Sequence, residues 1–158
     1  MPVNSQHPQY AESVKHWRDC RVFYNGEDAV KQAGELYLPK PEDATRSEYI
    51  SYVQRAGFFP AMERTISGLA GAIDRKDPLI QIPSRLEYMK DNADSNGASL
   101  RQFSKTVLDE MFITGRSGIL VERDADGSPP YLVLYTAESI IHWRVDQEKR
   151  LVLVVLLE

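Results

Sequence analysis

The feature that most constrains this chain is a change of period at Gly115. Before it, apolar side chains recur every three or four residues. After it, they alternate or run on unbroken. The stretch Thr114–Trp143, TGRSGILVERDADGSPPYLVLYTAESIIHW, holds the switch. A helical pattern closes at Gly115, the position where a glycine commonly ends a helix. A strand-like run follows at Gly118–Glu122, then the turn Asp124–Ala125–Asp126–Gly127, then a second apolar run at Tyr131–Tyr135. Thr136–Ser139 is a short polar break before a third run, Ile140–Val145. We read strands at 117–123, 130–135, 140–146 and 150–157. Consecutive strands with short connections predict an antiparallel β-meander. The expected class is α+β, with a mainly helical part over 1–114 and a strand-rich part over 115–158.

The last run, Leu151–Leu157, has seven apolar residues and is closed by Glu158. A run this apolar predicts a strand buried within a sheet. It is too short to cross a bilayer as a helix, which takes ~20 residues. Because such a strand normally has chain beyond it, the sequence reads as the front part of a longer protein. Leu151, Val152 and Leu153 are candidates for a packing or subunit contact.

The helical part can be followed in order. Over His7–Phe23, the residues Tyr10, Val14, Trp17 and Cys20 form one apolar face, and Asn25–Gly26 stops the helix. Glu27–Ala33 predicts a short second helix ended by Gly34, and Leu36–Pro41 an extended connector fixed by two prolines. Thr45–Arg46–Ser47–Glu48 matches a capping box ahead of Tyr49, Tyr52, Val53 and Ala56. Phe58–Arg75 predicts a longer helix with Phe59, Met62, Ile66, Leu69 and Ile73 on its buried face. Gly68 and Gly71 lie inside it, each unfavourable by about 1 kcal/mol relative to alanine. They leave a flat patch where another backbone could approach, within the chain or from a second subunit. Ser84–Asp91 predicts another short helix. Ser99 caps Leu100–Thr114, whose buried face should be Leu100, Phe103, Val107, Leu108, Met111 and Phe112.

Composition enters where it limits function. Net charge is −4, and no third of the chain carries a basic excess. The charge balance therefore gives no case for a protein that grips phosphates. A single cysteine, Cys20, excludes an internal disulfide and a cysteine-based metal site. It favours a reducing compartment, or a particle assembled in one. The first residues, MPVNSQHPQYAES, lack the basic patch and apolar core of a signal peptide.

Candidate chemistry is sparse. Asn92–Gly97 resembles the first half of a calcium loop, but Phe103 stands where a bidentate carboxylate is required. It reads better as a capped turn. Glu122, Asp124 and Asp126 could serve a divalent-metal nuclease, although aspartate and glycine are also ordinary hairpin-loop residues. His7, His16 and His142 are far apart in sequence, and His142 should face away from Ile141 and Trp143. Cys20 reads as a packed helix residue. The aromatics Tyr10, Trp17, Phe58, Phe59, Phe103, Tyr131 and Trp143 fall at core spacing. No phosphate loop, nucleophile elbow or zinc pattern is present, so no catalytic, cofactor-binding or metal-ligating residue is predicted.

Several stretches, in order, resemble one family. They are Trp17–Arg18–Asp19–Cys20, Gly26, Val30–Lys31–Gln32–Ala33–Gly34 and Tyr37–Leu38–Pro39. Next come Tyr49, Tyr52, Arg55, Ala56 and Phe58, then Thr65, Leu69 and Gly71, then Ser99, Leu100 and Phe103. Gly115–Val121 and Pro130–Trp143 complete the pattern. Together they resemble the N-terminal portion of portal-like proteins of tailed bacteriophages and prophages. The sequence departs from that pattern at Glu122, at Phe58–Phe59 and at Ala72–Ile73–Asp74.

The resemblance implies a structural role without catalysis or cofactor. A portal subunit belongs to a ring of about twelve copies at one capsid vertex. The ring passes double-stranded DNA in and out without reading its sequence. It docks the terminase motor, scaffold or capsid, and head-completion proteins. On that resemblance the chain would be part of the peripheral wing, with stem and clip beyond Glu158. Its place would be the virion, after assembly in the cytoplasm of the host bacterium, with no membrane. A prophage-derived interaction module is a third possibility beside the portal and the nuclease.

Overall fold

The computed structural model describes residues 5–158. Five α-helices come first among them: α1 (Pro8–Asn25), α2 (Glu27–Ala33), α3 (Arg46–Arg55), α4 (Ala61–Ile73) and α5 (Leu100–Thr114). Four strands follow: β1 (Ser117–Glu122), β2 (Tyr131–Thr136), β3 (Ile140–Val145) and β4 (Leu151–Leu156). The class is α+β, as the change of period predicts. No described helix is long and apolar enough to cross a membrane.

Local chemistry sets most helix ends. His7 caps α1, its Nδ1 accepting from the Gln9 backbone N–H, with Pro8 in the first turn where a missing donor costs nothing. Thr45 with Glu48, and Ser99 with Gln102, form complete capping boxes at α3 and α5. Gly115 ends α5 in the left-handed conformation at φ 72°. Two expectations shift. The helix predicted from Phe58 begins only at Ala61, because the residue before a proline is kept out of the helical region. The segment Ser84–Lys90 is a 3₁₀-helix instead of an α-helix.

The strands form two hairpins, not a continuous meander. β1 pairs with β2 in unbroken register, Gly118 opposite Tyr135. β3 pairs with β4 with register shifts after Ile140 and after Arg144. β2 and β3 do not pair because the break between them is an anchor and not a turn. Ala137 is fully buried in a 3₁₀ turn, Ala137–Ser139, that packs on α1. The outer edges of both strands are also engaged elsewhere: the Leu132 N–H donates to the Ala93 carbonyl and the His7 N–H to the Ile141 carbonyl.

α1, α4 and α5 pack on one another, and the core runs from them into the strands. Tyr10, Ile66, Ala70, Phe103 and Ile113 are buried on the helical side, and Tyr135, Ala137, Ile140 and Ile141 on the strand side. Several predicted core residues lie outside it. Leu69 and Ile73 (59% exposed) face solvent on α4, as do Phe59 (69%) ahead of that helix and Met111 on α5. The helices meet along a narrow stripe, so only part of each apolar face is covered. The Leu151–Leu157 run does form a strand, but an edge strand, with Leu151 60% and Val152 52% exposed. The total accessible surface is 11334 Å². A compact monomer of this mass would expose roughly 8,000 Å².

Candidate assembly surface

The junction of helical and strand parts is held by one cation between two carboxylates. Arg21 of α1 reaches both Glu110 of α5 (2.8 Å) and Glu138 of the 3₁₀ turn (2.7 Å), each through two hydrogen bonds. Hydrogen bonds from its guanidinium to Glu138 and then Glu110 raise the Arg21 pKa, outweighing desolvation. Burial pushes Glu138 upward, but the bonds from Arg21 prevail and its net shift is downward. The Tyr10 hydroxyl donates to the Glu138 carbonyl at 2.9 Å, tying the same turn to α1 a second time. Gly118 lets the hairpins meet here. A Cβ on it would stand 2.9 Å from the Cδ1 of buried Ile140.

Beyond this junction the two hairpins part. A cleft of about 710 Å³ lies between them, bounded by β1, β4 and one stripe of α1. Its wall is mostly apolar, with Trp17, Leu120, Ile140, Trp143 and Val154 among the residues facing it. Arg116 lies at its side, its guanidinium 3.9 Å from the ring centre of Trp143 and 5.5 Å from that of Trp17. Burial lowers the Arg116 pKa, and none of the ion pairs among the described residues involves it. His7 stacks on Trp143 at 3.9 Å and meets His142 edge-on at 5.7 Å. One imidazole thus meets two successive rings of β3, on the stretch where the register shift after Ile140 falls. His142 Nδ1 is buried with no hydrogen-bond partner among the described residues.

The remaining candidates are placed as follows. Gly68 and Gly71 lie on the exposed side of α4, and a Cβ on either would meet nothing within 4 Å. The flat patch is therefore not a packing contact within the chain. Leu151, Val152 and Leu153 are exposed on β4 and do not pack in the core as their run predicts. Asp126 accepts from the Ser128 N–H, and Asp124 from the Tyr131 hydroxyl at 3.1 Å. That bond from Tyr131 to Asp124 pushes the tyrosine up to about 12. Glu122 is also within reach of Tyr131, at 3.3 Å. Among the described residues no group of three or more His, Cys, Asp or Glu side chains is placed to hold a metal ion. Asp94 accepts from the Asn96 and Ala98 amides, closing the Asn92–Gly97 loop as a capped turn. Cys20 is half-buried with a free thiol.

Two features escaped sequence reasoning. The Arg21–Glu110–Glu138 cluster joins residues up to 117 positions apart, and nothing local marks them as partners. Arg116 had one visible signal, a cation immediately after a helix-ending glycine and before an apolar strand. No protein-family model matches the chain, and no curated protein matches it either.

Proposed function

We propose that this chain is the N-terminal, wing-like portion of a portal subunit, a structural and assembly protein of a tailed phage or prophage. The observation that carries the reading is where the family-like residues sit in the fold. Gly26, Gly34 and Gly115 end helices at positive φ, and Gly118 admits Ile140. Tyr37 donates to Asp19 of α1 and Tyr49 of α3 to the Leu38 carbonyl, fixing the connector between those two helices. Tyr135, Ala137, Glu138, Ile140 and Ile141, all within the Pro130–Trp143 stretch, build the junction core and its ion cluster. The pattern thus falls on residues that set this architecture, which favours a shared fold over a chance run of motifs. A near-neutral to acidic chain also suits a channel through which DNA slides, since phosphate gripping releases counterions and tightens binding.

The test is electron microscopy of the full product of the source gene. A ring of about twelve subunits around an open channel is the expected result. A product that stays monomeric, or that cuts DNA with a divalent metal, would remove the reading. For the nuclease alternative, Asp124→Ala with Asp126→Ala in the same product should abolish such cutting. On the portal reading the pair only loosens the β1–β2 turn, and added magnesium or manganese leaves the melting temperature unchanged.

A further inference from the structure

We propose that the cleft is an interface between two copies of this chain, the open edge of β1 in one copy pairing antiparallel with the open edge of β4 in the other. The proposal goes beyond the portal reading and does not depend on it. Each of these strands has a partner on one side only, and no backbone hydrogen bond among the described residues reaches the other side. An edge of unpaired amides and carbonyls is a template for another strand, and proteins normally cover or charge it. Here it is neither. Ile119, Leu120 and Val121 on β1 and Leu151 through Val154 on β4 are exposed on consecutive positions, hence on both faces of each strand.

The amount of uncovered surface fits a macromolecular occupant. The chain exposes 11334 Å², so it carries an excess on the order of 3,000 Å² over a compact monomer. A stable interface needs about 800 Å² from each partner.

Charge selects a second copy as that occupant. Each edge is an apolar run between a basic and an acidic end: Arg116 to Glu122 and Asp124 around β1, where the intervening Arg123 is turned onto the Gly127 and Ser128 carbonyls of its own loop, and Arg150 to Glu158 around β4. An antiparallel register with Leu120 opposite Val154 sets Arg116 against Glu158 and Asp124 against Arg150. The parallel arrangement with the same ends aligned sets arginine against arginine and acid against acid, which costs stability. Among the described residues Arg116 has no ion pair. Glu158 accepts from the Tyr135 hydroxyl, Asp124 accepts from Tyr131, and the exposed Arg150 pairs with Asp146 and Glu148. A β1–β4 contact covers both open edges of every copy with one kind of contact. Pairing β4 with β4 would leave β1 bare. Such a contact can close reciprocally as a dimer or head-to-tail as a ring.

The experiment uses this chain with Cys20→Ala, carrying either Leu120→Cys or Val154→Cys. The expected result is a disulfide between chains that forms when the two variants are mixed and in neither alone. In parallel, light scattering on the unmodified chain should show association. Val152→Lys should weaken that association by roughly tenfold or more, since it sets an unpaired charge in the contact, while circular dichroism is unchanged. A monomer at the highest soluble concentration overturns the proposal. So does a Val154→Cys dimer formed alone, which means β4–β4 pairing. A disulfide within one chain of a variant carrying both Leu120→Cys and Val154→Cys overturns it too, since the cleft then closes on itself. A ring of the full gene product lacking the mixed disulfide would overturn the strand contact and leave the portal reading standing. A cross-linked dimer with no ring would do the reverse.

Discussion

At Gly118 a hydrogen stands where any other residue would place a methyl group, and Ile140 fills that space. Gly118→Ala should destabilise the chain by about 1–2 kcal/mol through overpacking. Ile140→Val removes the opposing Cδ1 and by itself should cost about 1 kcal/mol. The double variant should cost less than the sum, a coupling that chemical denaturation of all four proteins would measure. Arg21 gives a second prediction. Arg21→Ala leaves Glu110 and Glu138 close together without their cation. We expect a loss of about 2 kcal/mol, below the figure for fully buried pairs because the site is partly exposed. Its sign with pH follows from Glu138. The folded pKa is depressed, so the stabilisation is present above the unfolded carboxylate value and is lost as pH falls through the folded one. Thermal melting of the wild type should therefore weaken on acidification below the ordinary carboxylate range, and Glu138→Gln should lower the neutral-pH melting temperature and flatten that dependence.

The elements themselves were the most legible part of the sequence. Capping boxes at Thr45 and Ser99 and the helix-ending glycines act within a few residues, so their geometry is contained in the local chain. Ser99→Ala should cost about 1 kcal/mol, and circular dichroism during thermal melting would show it. Which face of each helix is buried was less legible. Periodicity marks an apolar stripe on α4, yet Leu69 and Ile73 lie on its solvent side while Ile66 and Ala70 are covered. Both sets satisfy the same spacing, and only the angle at which α1 and α5 cross α4 separates them. The same holds for Leu151–Val154. The run specifies a strand, but whether a strand has one neighbour or two is decided by what else is in the sheet.

For the molecule as a whole, the large accessible surface and the two uncovered strand edges point the same way. If a second copy covers them, stability is linked to concentration, because binding to the folded state alone shifts unfolding by mass action. The melting temperature should then rise with protein concentration over a hundredfold range, and Val152→Lys should abolish the rise. A melting temperature independent of concentration would place the open edges outside any self-association.

The α+β class, the position of the switch at Gly115, nearly every helix and strand and the caps at Thr45 and Ser99 are legible in the local chain. Those follow from interactions spanning a few residues, where side-chain spacing and backbone preference act directly. That the strands part into two hairpins, that Arg21 finds Glu110 and Glu138, and that an apolar cleft opens beside Arg116 emerge from the packing alone. Each of those joins residues far apart in the chain, and its energy depends on distances that no local pattern encodes.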